Sequence, residues 1–151
     1  MIGLLIMATV GILGVSAGAL VTEACVLVPF WRSLPPESFL AWYRQNARLL
    51  LRFFGPLEVG AVVVSAAAAV KSLLAAHPAS QLLTLAAGLS VAVLVAYPMY
   101  FQRVNASFSD GSIAIERVAP ELGRWSRWHW ARTAIATAAF AAATMAAVLA
   151  E

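Results

Sequence analysis

The stretch IGLLIMATVGILGVSAGALVTEACVLV, residues 2–28, carries no charge until Glu23. About 20 apolar residues suffice to cross a bilayer as a helix, so this run is long enough to span. No Lys or Arg precedes it, and its apolar part is longer than that of a signal peptide, so it reads as a retained span. Three more stretches of the same kind follow, at residues 55–76, 81–101 and 125–150. The chain is 62% hydrophobic and 11% charged, with mean hydropathy +0.85. A soluble domain would have about 25% charged residues, so residues 1–151 read as one membrane domain. The expected fold is all-α, an integral four-helix bundle.

The connections supply the remaining features. Pro29 is expected to end the first helix. In residues 31–52, Pro35-Pro36 opens a helix on which Arg44, Arg48 and Arg52 form a basic stripe, while Phe39, Tyr43, Leu50 and Phe53 fall on another face. That pattern predicts a short amphipathic helix in the headgroup plane between the first two spans, with a solvated helix as the alternative. Gly55-Pro56 is expected to break the chain, and His77-Pro78 to form a turn. Pro98 is expected to kink the third span and free a carbonyl one turn earlier. Asp110-Gly111 is a turn signal. Residues 106–124 are polar and leave room for a second short amphipathic helix. Gly14 and Gly18 give a thin helix face suited to close packing within the bundle; a homo-oligomer contact is the lesser alternative. The lone Cys25 excludes an internal disulfide.

Arg32, Arg44, Arg48, Arg52, Arg103, Arg117, Arg124 and Arg127 all lie in the two longer connections, and only Lys71 lies toward the other end. The positive-inside rule then puts those connections in the cytoplasm and both termini outside. The net charge of +3 belongs to arginines flanking apolar spans. Their partner is the anionic headgroup rather than nucleic acid.

The spans are not uniformly apolar. Thr9, Ser16 and Glu23 are seven apart, as are Glu58, Ser65 and Ser72; Ser90, Tyr97 and Asn105 continue one face, and Trp125, His129, Arg132 and Ala136 another. Residues seven apart share a helix face to within about 20°. Each span thus has one polar stripe, and polar stripes in lipid turn inward. Odd-numbered passes end, and even-numbered passes begin, on one side. Glu23, Glu58, Asn105, His129 and Arg132 therefore converge at one end of the bundle.

Three readings of that cluster stand: a metal site, ion pairs and hydrogen bonds without a metal, and an unrelated placement of these residues. Glu23, Glu58 and His129 are donors of the type that binds copper or iron, though no Glu-x-x-His repeat supports a di-iron site. Alternatively Glu23 or Glu58 pairs with Arg132 or another arginine and closes the bundle without a metal. In that version His129 is a general base and Arg132 steadies an oxyanion. Trp128 and Trp130 read as interfacial belt; Trp125 shares the His129 face and reads as pocket wall.

The segment Asn105…Trp125-Ser126-Arg127-Trp128-His129-Trp130-Ala131-Arg132 resembles the anthrone oxygenase-like membrane proteins. Their pattern has an Asn after the third span and then W-x-x-x-H-x-x-R entering the fourth. The glycine-rich first span ending in Pro29 and the Tyr97-Pro98 region also fit. The resemblance implies oxidation of an apolar aromatic substrate of the polyketide type by molecular oxygen, with Asn105, Trp125, His129 and Arg132 at the site, and it implies chemistry of a kind that can proceed without a cofactor. Two rivals remain: a proton-coupled transporter, which needs access from both sides, and a structural subunit, which needs no cavity.

Overall fold

The structure is a computed structural model that describes residues 2–150. Among them there is no strand. Four long helices follow one another: α1 (Ile2–Ser33), α2 (Pro36–Leu74), α3 (Ser80–Asp110) and α4 (Ile115–Val148), each long and apolar enough to cross a membrane. Consecutive helices pack side by side, and α4 closes the ring against α1, while the diagonal pairs barely touch. This is the up-down-up-down arrangement that short connections favour.

In the half of the bundle holding the termini, small residues let the helices approach closely. Ala68, Ala69, Ala86, Ala139, Ala143 and Ala146 are buried there together with Ile6 and Leu83. Large apolar side chains such as Leu4, Val63, Val70, Leu74 and Val91 point outward. That inverted pattern suits a bundle whose solvent is lipid. The chain is an integral membrane protein.

The other half has a different core. Trp31, Phe39, Tyr43, Phe101, Phe108 and Trp125 are buried against one another with Val104, Val118 and Leu122. Trp31 sits at the centre, with Phe39, Trp42, Tyr43 and Trp125 rings 5.4–6.1 Å from its own. This aromatic core holds together the helix extensions that leave the apolar zone.

Several sequence expectations need correction here. Pro29 does not end α1: the helix runs on to Ser33 through a π turn at Glu23–Leu27, in which the Val28 N–H bonds to the Glu23 carbonyl. The wider turn accommodates the ring and missing donor of Pro29, which an α turn tolerates poorly. Pro98 is absorbed similarly, by a π turn at Tyr97–Phe101. Nor does Gly55-Pro56 break the chain. The expected amphipathic helix begins at Pro36, but it is continuous with the second span as one 39-residue helix. At 1.5 Å per residue it is about 58 Å long, against a hydrocarbon thickness of about 30 Å. Its N-terminal half therefore projects beyond the apolar zone instead of lying as a separate helix in its plane. Residues 115–124 likewise form the start of α4 rather than a helix of their own.

The expected turns are present. Gly111 ends α3 in the left-handed conformation, with φ 70°, a cap that glycine adopts without strain. The Arg44 Nε donates to the Ser109 carbonyl at 3.2 Å and ties α2 to this corner. Of the helix-1 glycines, Gly14 packs against the Phe140 ring, so close that an added Cβ would lie 3.0 Å from it, whereas Gly11 and Gly18 have no neighbour within 4 Å of that position. The close-packing expectation thus holds for Gly14 alone.

Candidate functional site

All four polar stripes turn inward. Thr9, Ser16, Glu23, Glu58, Ser65, Ser72, Ser90, His129 and Arg132 are buried. Toward the termini the stripes close on themselves: the Ser65 and Ser90 hydroxyls lie 2.9 Å apart between α2 and α3. Toward the polar end they open around a cavity of about 590 Å³.

The cavity's polar wall carries Glu23, Tyr43, Glu58, Asn105, Trp125 and Arg132; its apolar wall carries Leu50, Leu51, Phe54, Val59, Val93 and Phe101. Arg48, Gln102 and Ser109 also line it. The sequence-derived residues are therefore together, with one qualification. His129 is fully buried and is not among the lining residues. It lies behind the wall, its ring stacked on Trp125 with centroids 4.9 Å apart and planes at 16°.

Hydrogen bonding fixes how His129 is used. Its Nε2 faces the Leu20 carbonyl at 3.0 Å. A carbonyl only accepts, so Nε2 carries the proton and donates. The lone pair of the neutral ring is then on Nδ1, which faces Arg132 Nη2 at 3.4 Å and Glu23 Oε2 at 3.6 Å. Arg132 Nη2 is 3.7 Å from the same Glu23 oxygen. The three groups form a triangle whose sides all exceed the usual 2.7–3.2 Å of a direct hydrogen bond. Glu23 Oε2 and Arg132 Nε, both buried, have no hydrogen-bond partner among the described residues. Such groups are costly when left unpaired, and both atoms are closed off from solvent. The Arg132 guanidinium also rests on the Phe101 ring, 4.5 Å from its centroid, an attraction of cation–π type.

The other polar residues are anchored individually. Ser16 Oγ donates to Glu58 Oε1 at 3.1 Å, joining α1 to α2. Trp125 Nε1 donates to Asn105 Oδ1 at 2.9 Å, joining α4 to α3. That bond fixes the Trp125 ring and, through stacking, the His129 plane. Both π turns are at this depth. One presents Glu23 and the other Tyr97 and Phe101, consistent with the tendency of π turns to accompany functional sites.

As metal donors, Glu23 and His129 are neighbours, but Glu58 is held by Ser16. Among the described residues no three His, Cys, Asp or Glu side chains gather as a metal-binding group. The cation close to both Glu23 and His129 is the Arg132 guanidinium.

A second, shallower groove of about 530 Å³ lies between α1 and α2, lined by Ala19, Thr22, Leu27, Trp42, Asn46, Leu49 and Phe53. It shares Glu23, Leu50 and Phe54 with the main cavity. Sequence reasoning placed Tyr43 and Leu50, with Phe39 and Phe53, on an interfacial helix and so missed Tyr43 and Leu50 as cavity wall; Ala47 and Phe54, which also line it, were not singled out. The signal was present: Tyr43, Ala47, Leu50, Phe54 and Glu58 recur at helical spacing straight through Gly55-Pro56. Searches for similar proteins find no family model, curated protein or solved structure that matches this chain.

Proposed function

We propose that this protein is a membrane-embedded oxygenase that oxidises an apolar aromatic substrate of the anthrone type with molecular oxygen. The observation that carries the reading is the cavity of about 590 Å³ in which the side chains of a largely buried carboxylate, Glu23, and guanidinium, Arg132, share the lining with an apolar wall. The likeness of the Asn105…Arg132 segment to anthrone oxygenase-like proteins supports the substrate class. The arginine bias supports a cytoplasmic position for the cavity, with both termini outside.

Glu23 is the base in this scheme, because it lines the cavity and His129 does not. It takes a proton from the doubly activated methylene carbon of the substrate. The resulting carbanion is delocalised onto the substrate oxygen, where Arg132 balances the charge. Oxygen accepts the electron pair and bonds to that carbon, giving a peroxide anion that recovers the proton from Glu23. The hydroperoxide then loses water as the remaining hydrogen on that carbon leaves as a proton and the O–O bond breaks. The sum is one methylene and one O₂ converted to one carbonyl and one water. His129 is a positioning residue that orients the Glu23–Arg132 pair. Asn105 and Trp125 hold the wall, and the bilayer supplies the apolar substrate.

A copper or iron ion bound by Glu23 and His129 is the variant reading, and elemental analysis of the purified protein distinguishes it. The transporter reading has less support. The cavity lining ends near Glu58, Val59 and Val93, and beyond it Thr9, Ser65, Ala139 and Ala143 are fully buried. The structural-subunit reading needs no cavity, and one is present.

The test is kinetic. Glu23→Gln should lower oxygen-dependent turnover of an anthrone by about 10²–10⁴-fold, the usual worth of a general base. Arg132→Lys should lower it by about 10²–10³-fold, as loss of an oxyanion donor does, because an ammonium lacks the planar fork. Wild-type rates in both variants would remove the assignment.

A further inference from the structure

Outside the main cavity, uncommitted charge is concentrated in a cleft between the polar ends of α3 and α4. It encloses about 320 Å³ and is lined by Arg103 and Ser107 from α3 and by Arg117, Glu121 and Arg124 from α4. Glu121 is already engaged. Its Oε1 accepts a hydrogen bond from the Tyr100 hydroxyl at 2.8 Å, and its Oε2 lies 3.6 Å from Arg124 Nη1. Arg103 and Arg117 have no carboxylate within ion-pair distance among the described residues. The free groups of the cleft are therefore two guanidinium forks from different helices.

Its depth is marked by neighbours. Tyr100, one turn before Arg103, stacks on Trp128 with centroids 5.1 Å apart and planes at 12°. Trp128, one turn after Arg124, is 40% exposed. Half-exposed aromatic rings of this kind collect at headgroup level. The inner end of the cleft, at Arg103 and Arg124, thus lies at headgroup level with Arg117 two turns further out, and guanidinium forks match phosphate oxygens two at a time.

We propose that this cleft binds a phosphate group, carried by an anionic phospholipid or free in solution, with Arg103 and Arg117 as its principal contacts. The assignment is independent of the reaction in the main cavity. The test uses the full-length protein in neutral detergent, with phosphatidylglycerol, phosphatidylcholine and inorganic phosphate as separate probes. Native mass spectrometry reads retained lipid, and thermal melting reads stabilisation. Wild type should retain phosphatidylglycerol in preference to phosphatidylcholine, and Arg103→Gln/Arg117→Gln should reduce that retention at least about tenfold, the effect of losing a charge-assisted hydrogen bond. Arg127→Gln, an exposed arginine outside the cleft, should retain it.

A response to phosphatidylglycerol but not to inorganic phosphate identifies the lipid as the source. Stabilisation by inorganic phosphate that disappears in the double variant identifies a site open to solution. Equal retention of the two lipids with no response to phosphate overturns the proposal, as does undiminished binding in the double variant. Should the double variant fail to elute as a folded species, Arg103→Lys/Arg117→Lys replaces it. This pair keeps the charge and loses the forks, so binding should weaken, and unchanged binding counts against the proposal.

Discussion

Replacing Glu23 with Gln removes the counter-charge of Arg132 while leaving side-chain size almost unchanged. Arg132 is 7% exposed, and its Nη2 is 3.7 Å from Glu23 Oε2. Breaking a buried ion pair from one side costs about 3–5 kcal/mol, because the remaining charge stays buried. Three features put this case at the lower end. The contact is long, Phe101 still faces the guanidinium at 4.5 Å, and Glu58 lines the same cavity. A loss of about 3 kcal/mol should lower the melting temperature by about 6–12 °C for a chain of this length. The assay is thermal melting in detergent, beside Arg132→Met and the double variant Glu23→Gln/Arg132→Met. The double variant should recover part of the loss, since neither charge of the pair remains and only Glu58 then lacks the nearby guanidinium. Wild-type melting of Glu23→Gln, or strictly additive losses in the double variant, would refute the coupling inferred from the geometry.

Three further outcomes are expected. Gly14→Ala should lower the melting temperature by several degrees, because its Cβ would meet the Phe140 ring at 3.0 Å, whereas Gly18→Ala, with nothing within 4 Å, should not; equal effects would contradict the packing described. Trp125→Phe keeps a ring on His129 but loses the 2.9 Å bond to Asn105. It should cost about 0.5–1.5 kcal/mol, the usual net worth of a hydrogen bond, because Asn105 is only half-buried and lines the cavity; the same melts read it, and an unchanged melting temperature would contradict a role for that bond in stability. Reporter fusions after Arg48 and Arg117 should report cytoplasmic exposure and a fusion at the C-terminal end external exposure; the reverse would overturn the orientation while leaving the cavity unchanged.

The polar stripes were legible because period and burial agree. Ser16 and Glu23, Glu58 and Ser65, and His129 and Arg132 fall on inward faces by spacing alone, and burying them against one another is the low-cost solution in lipid. The helix boundaries were less legible. Pro29, Pro56 and Pro98 each signal a break worth about 3 kcal/mol in a helix interior, but that penalty is local. Two are absorbed by π turns. Pro56 lies on an exposed helix face, and the aromatic core around Trp31 holds the preceding half of α2 in line. That tertiary packing brings Tyr43 into the cavity wall. The role of His129 was hidden for a related reason: its pairing with the Leu20 carbonyl, 109 residues away, leaves no trace in local spacing.

The most direct measurement is oxidation of an anthrone under ¹⁸O₂ by the purified protein, with the Glu23→Gln variant and a protein-free sample in parallel. The account predicts protein-dependent formation of the quinone with one labelled oxygen in the new carbonyl, and its loss in the variant. Oxidation no faster with the protein than without it, across anthrone-like phenols, would contradict the account.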